Sequence, residues 1–165
     1  MVSASFGVIL MFYVLFLTGA LRADEGSVAP ILRLVRIYLC RHAQARAGEP
    51  DELRELTPEG IEQARELGAR LAALPEPPRL VLTSPLARAR QTGAEVAEAV
   101  GVTARVEEAL APGASAETLR EAIAGEASPV ATIGHQPDCS EIALALLGRD
   151  PGFPVAGMIE LELRG

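Results

Sequence analysis

From Val35 onward the chain alternates short apolar runs with longer stretches in which apolar residues recur every three or four positions. Short apolar runs read as strands and amphipathic stretches as helices, so the alternation predicts α/β architecture. Residues 35–40 (VRIYLC) form the first expected strand. The first expected helix covers 57–74: Thr57 caps it, Pro58 suits its first turn, and Ile61, Ala64, Leu67 and Leu71 fall on one face. The PEPP run at 75–78 ends it. A second strand is expected at 80–83, and Ser84 followed by Pro85 repeats the cap-then-proline signal for a helix reaching Val100, closed by Gly101. Then follow a short strand at 102–106, a helix at 116–124, a buried strand at 130–134, a helix at 137–147 ended by Gly148, and a last strand at 155–163. No internal repeat interrupts this order, so 35–165 reads as one domain.

The pattern differs ahead of it. Residues 1–21 carry no charged side chain and hold four of the six aromatics, Phe6, Phe12, Tyr13 and Phe16. That length approaches the roughly 20 residues that span a bilayer, whereas a secretory signal would place basic residues before its apolar stretch. Three readings of 1–34 stand side by side. As an anchor, with Arg22, Arg33 and Arg36 following it, the positive-inside rule keeps the domain in the cytoplasm, tethered to the membrane. As a signal cleaved near Ala20 or Ala23, it exports the domain. As a dispensable extension, for instance from a misassigned start, it does neither.

Composition narrows the partners. The 165 residues carry a formal charge of −7, with 22 acidic residues against 15 basic ones, all Arg, which disfavours a broad nucleic-acid-binding face but allows a local basic pocket. Two cysteines, Cys40 and Cys139, cannot build a multi-bridge secreted framework, so reduced thiols are expected.

The chain has only two histidines, and both fall at the same kind of place. His42 follows the strand ending at Cys40 and His135 the strand ending at Gly134. In open α/β sheets the ligand crevice lies outside the carboxyl ends of the strands, so the two can meet despite their separation in sequence. The strand ending at Thr83 delivers Arg88 to the same edge, about one turn into its helix, and Arg41 adjoins His42. Two guanidiniums, two imidazoles and a helix N-terminus suit a dianionic phosphoryl group. Each residue alone is more often a surface or core residue; their joint placement is the signal. Ser84 reads as an N-cap, because no Gly-x-Ser-x-Gly elbow surrounds it.

These segments resemble the histidine phosphatase superfamily, whose members carry an Arg-His-Gly type motif after the first strand, and within it the SixA-type phosphohistidine phosphatases. The residues that carry the resemblance are RIYLCRHAQA (36–45), RELTPEG (54–60), LVLTSPLARARQT (80–92), LAPGAS (110–115) and ATIGHQPDCSEI (131–142). It implies a three-layer α/β/α sandwich with a mostly parallel central sheet, phosphoglycerate mutase-like, over 35–165. It further implies that His42 is the nucleophile of a covalent phosphohistidine intermediate and that Arg41, Arg88 and His135 complete the phosphate pocket, with Ser84 beside them. His135 would be protonated, no cofactor or metal would be needed, and water would release phosphate.

Two departures bear on the substrate. Ala43 stands where family motifs usually have Gly, a change the SixA-like branch tolerates. A general acid is not evident: Glu108 is first by order, followed by Glu107, Glu49 and Asp51, and a solvated surface role is the ordinary reading of each. A weak acid favours an N–P bond over a phosphate monoester, because imidazole needs less help to leave than an alkoxide. Only 14 residues separate His42 from Thr57, too few for a large lid, and the resulting open crevice would admit a phosphorylated side chain on a folded protein. The expected partner is therefore a phosphohistidine-bearing phosphotransfer domain; a small phosphorylated molecule is the alternative. Rivals of another class are a phosphate-binding module without turnover and a structural zinc site made of Cys40, His42, His135 and Cys139, against which stand the two adjoining Arg.

Overall fold

The expected first strand forms β1 (Leu34–Arg41), and its alternate residues are buried on both sides: Val35, Ile37 and Leu39 in one core, Tyr38 and Cys40 in the other. A strand covered on both faces has to read as a near-continuous apolar run, and this one does. The structure, a computed structural model, describes residues 34–126 and 129–164. The anchor, signal and extension readings of 1–34 thus fall outside the described residues but for Leu34. No helix among the described residues is long and apolar enough to cross a membrane.

After β1 come α1 (Pro58–Ala72), β2 (Leu80–Thr83), α2 (Ala87–Val100), β3 (Ala104–Val106), α3 (Ala116–Ile123), β4 (Val130–Gly134), α4 (Asp138–Leu147) and β5 (Met158–Arg164). The sheet order is β3-β2-β4-β1-β5, with every neighbouring pair parallel except β1 and β5. One core joins Tyr38, Val81, Ala131 and Ile133 of the sheet to Ala64, Leu67 and Leu71 of α1 and Ala89 and Val96 of α2. The other joins Ile37, Leu82, Val130 and Leu161 to Leu119 and Ile123 of α3 and Ile142 of α4. Helices on both faces of a mostly parallel sheet make the expected three-layer α/β/α sandwich.

Local signals set most helix ends. Thr57 accepts the Gly60 N–H at 2.9 Å with Pro58 in the first turn, and Ser115 and Thr118 form a capping box at α3. Gly101 and Gly148 close α2 and α4 in the left-handed conformation, at φ 78° and 71°. Gly60 is required for another reason: a Cβ there would lie 2.0 Å from the Gln44 carbonyl oxygen, so only glycine lets α1 approach the chain leaving β1.

Two expectations are corrected. Ser84 does not cap α2; Leu86 occupies the cap position without a side-chain bond, and the helix starts at Ala87, which puts Arg88 at its second residue rather than a turn in. The last strand begins at Met158 and not Val155, because 153–157 makes a turn with Ala156 at φ 52°. That turn is held by long-range partners: Ala156 N–H donates to the His42 carbonyl (3.2 Å), Arg41 N–H to the Gly157 carbonyl (2.9 Å) and Arg70 to the Ala156 carbonyl (2.6 Å).

Candidate active site

The topology makes a crevice where it was expected. From β1 the chain crosses α1 to β2, on the far side of β4; from β4 it crosses α4 to β5, on the far side of β1. The two connections leave neighbouring parallel strands in opposite directions, which opens a gap at their carboxyl ends. Strand pairing continues into it, with His42 N–H donating to the Gly134 carbonyl and Ser84 N–H to the Ile133 carbonyl, both at 3.0 Å. His42, Ser84 and His135 thereby follow three adjacent strands, and the two imidazole centroids lie 5.1 Å apart.

Each ring of this pair is tied differently. His42 Nδ1 lies 2.6 Å from the Ala43 carbonyl oxygen, which can only accept, so Nδ1 carries the proton. Arg88 Nε, which can only donate, lies 3.2 Å from His42 Nε2, so Nε2 presents its lone pair. Burial first, then the charges of Arg88, Arg41 and Arg54, push His42 down to about 4 against the raising effect of the Ala43 bond, and the ring is neutral at pH 7. His135 pairs through Nε2 with Ser84 Oγ at 2.6 Å, while its buried Nδ1 has no protein partner among the described residues. Burial, followed by His42 and Arg88, pushes His135 down to about 3. Burial and these neighbours favour the neutral ring, against the protonated second imidazole expected from the resemblance.

Arg88 is 6% exposed and has a partner at each of its three nitrogens: besides His42, its Nη1 donates to the Asp51 carbonyl (2.8 Å) and its Nη2 to Asp51 Oδ2 (3.0 Å). Asp51 Oδ1 accepts from Arg54 Nη1 at 2.8 Å, and the two guanidiniums, Arg54 first, hold its carboxyl below the usual range. Arg41 directs Nη1 to the Phe153 carbonyl (2.9 Å), and its Nε is buried without a partner among the described residues. The segment bearing Asp51 is wired to the helices: Ala43 N–H donates to Thr92 Oγ1 (3.1 Å), Gln44 N–H to Gln63 Oε1 (3.0 Å) and Leu56 N–H to Gln91 Oε1 (2.7 Å).

His42, Arg88, His135 and Ser84 are thus brought together, with Arg41 adjoining through the backbone. Glu108 is not. It is exposed at the head of a short 3-10 turn and makes no polar contact with the cluster; Glu107 caps that turn through Ala109 N–H, and Glu49 is exposed. Asp51, the last of the acid candidates by order, is the one carboxylate among those four that reaches Arg88. The short connection after His42 therefore does lay a group across the site, contrary to the open crevice expected from its length. Arg54 was quoted only as part of a motif; its position before the Leu-Thr cap of α1 was the available hint.

The zinc tetrad does not assemble. Cys40 and Cys139 sit in separate cores, their thiols directed at the Tyr38 carbonyl (3.4 Å) and the Cys40 carbonyl (3.7 Å), and burial raises Cys40 strongly and Cys139 to about 12. No group of three or more His, Cys, Asp or Glu among the described residues is placed to hold a metal.

Comparison with known proteins bears on the family and the fold. The profile of the "Histidine phosphatase superfamily (branch 1)" matches residues 37–129. A protein from Agrobacterium tumefaciens, described as a SixA phosphohistidine phosphatase, shares 30% identity at a TM-score of 0.68, over 78% of this chain and 91% of its own. A protein histidine phosphatase SixA complexed with tungstate shares 26% identity at a TM-score of 0.71, over 79% and 89%. A SixA-described protein from Nakamurella multipartitia shares 27% identity at 0.63, over 81% and 87%. No curated protein matches the chain in sequence.

Proposed function

Because this chain belongs to the histidine phosphatase superfamily, we propose that it hydrolyses phosphohistidine on a protein, through a covalent intermediate on His42. The observation that carries the proposal is the fixed tautomer of His42: a neutral ring with Nδ1 tied to the Ala43 carbonyl and the Nε2 lone pair facing buried Arg88. A nucleophilic imidazole needs an unprotonated, aimed nitrogen, and phosphoryl transfer needs fixed positive charge beside it.

In the proposed reaction His42 Nε2 forms a bond to phosphorus as the N–P bond of the substrate breaks, the electron pair returning to the substrate ring. Arg88 and Arg41 neutralise the equatorial oxygens. Ser84 Oγ, which accepts the Leu86 N–H at 3.4 Å, donates a hydrogen bond to His135 Nε2, so that the one proton of this ring sits on Nδ1 and is offered to a phosphoryl oxygen. Water then attacks the phosphorylated His42 from the opposite side and restores the neutral ring, with Nδ1 still on Ala43.

The leaving group supports the substrate class. Asp51 is held ionised by two guanidiniums and Glu108 does not reach the cluster, so no protonated carboxyl stands ready for an alkoxide. Phosphohistidine brings its own proton: its second ring nitrogen titrates near neutrality and lets the ring leave as neutral imidazole. Two of the SixA structures named above are described as phosphohistidine phosphatases and the other as a protein histidine phosphatase. The test is to compare kcat/KM for a phosphohistidine phosphotransfer domain and for an alkyl phosphate monoester such as phosphoserine. The proposal predicts at least about 100-fold preference for the former, corresponding to the typical benefit of a general acid that the ester would lack. Efficient ester hydrolysis with phosphohistidine left intact would overturn it.

A further inference from the structure

Every polar contact of Arg88 drawn above bears on one question, which is what a phosphoryl group must displace to reach His42. The Nε–H of Arg88 covers the His42 Nε2 lone pair at 3.2 Å. Its Nη1 and Nη2, the fork that matches two phosphoryl oxygens, are taken by the carbonyl and the carboxylate of Asp51 at 2.8 and 3.0 Å. Arg88 is buried and Asp51 is half exposed, so the arginine is the fixed member and the carboxylate the one free to move. Asp51 also keeps a second partner, Arg54, at 2.8 Å, so it can let go of Arg88 without losing its charge compensation.

We propose that Asp51 is a built-in competitor of the substrate: its carboxylate and its main-chain carbonyl hold Arg88 across the nucleophile, one donor each, and an incoming phosphoryl group competes with the carboxylate for Nη2. Asp51 is thus a positioning residue acting through Arg88, and it sets affinity for the phosphoryl group. The inference rests on the phosphate-pocket reading of His42 and Arg88 proposed above. It separates two effects of the loop at 51–54, because Arg54 adds positive charge at the site's edge while Asp51 withholds the arginine fork until a dianion arrives.

A purely structural role for Asp51 would have the opposite sign. If the carboxylate merely kept Arg88 in place for substrate, neutralising it would weaken phosphate binding. Under competition, neutralising it strengthens binding by about 5-fold, the scale of one partly exposed ion pair.

The experiment measures inorganic phosphate binding by calorimetry on the full chain, together with KM and kcat for phosphohistidine protein, in wild type, Asp51→Asn and Asp51→Glu. Competition predicts tighter phosphate and lower KM in Asp51→Asn, with kcat changed less than KM, and a return toward wild-type values in Asp51→Glu. Equal or weaker phosphate binding by Asp51→Asn overturns the inference about Asp51 while leaving the pocket intact. Absence of phosphate binding in all three proteins overturns the pocket reading itself, and the inference with it.

Discussion

His42 and His135 occupy equivalent places, each just past the carboxyl end of a parallel strand in β1 and β4, yet their surroundings divide the two ring nitrogens in opposite ways. His42 is fastened by Nδ1 to a backbone carbonyl and presents Nε2; His135 is fastened by Nε2 to Ser84 and leaves Nδ1. The residue type and the strand end are the same, so they do not decide the role. In the proposed reaction the roles follow from which nitrogen is fixed: the aimed lone pair of His42 is the nucleophile, and His135 is left to hold a proton toward phosphate oxygen. Arg88 stands on the nucleophile's side of this division, bonded to His42.

Substitution breaks the comparison most strongly. Replacing His42 by Asn is expected to lower turnover by about 10⁶-fold, the scale of losing a covalent nucleophile. Replacing His135 by Asn is expected to cost about 100-fold, the scale of one donor to a transition-state oxygen. Asn places its amide nitrogen near the position of Nδ1, so His135→Asn should retain more activity than His135→Gln, whose amide mimics Nε2. Steady-state kinetics on the three variants check this; equal losses at both histidines would erase the distinction.

Titration sharpens the comparison with a smaller effect. Both rings sit well below the ordinary 6.5, at about 4 and about 3, mainly because of burial. Between these values and 6.5 the unfolded chain binds protons that the folded chain does not, so stability rises with pH and is lost as pH falls from about 6.5 toward 4. Two such groups give a slope on the order of a few kcal/mol per pH unit near pH 5. Urea unfolding at pH 7 and 5 measures it. With only two histidines in the chain, nitrogen NMR should show two neutral imidazoles down to pH 5, and a ring titrating near 6.5 would contradict the burial argument.

Much of this was legible in sequence because the signals are local. Thr57 with Pro58, Ser115, Gly101 and Gly148 mark helix ends through the residues' own backbone preferences, and both histidines are placed by strands whose apolar runs are plain. The misses are long-range. Ser84 carries a cap signature but is drawn to His135, 51 positions away, and α2 starts late. Val155 looks like strand, yet Ala156 and Gly157 are pulled into a turn by the His42 carbonyl, Arg41 and Arg70. Asp51 was one acidic residue among many until folding set it against Arg88. The burial and charged neighbours that favour a neutral His135, against the protonation expected for it, likewise have no trace in local sequence.

In the proposed reaction the phosphoryl group passes through Nε2 of His42. Rapid alkaline quenching of the enzyme with a radiolabelled phosphohistidine protein, followed by peptide mapping, reads that directly. The account predicts alkali-stable, acid-labile phosphate on the peptide containing His42, bonded at Nε2, and none on that peptide in His42→Asn. Label on His135, on Nδ1 of His42, or full turnover by His42→Asn would contradict it.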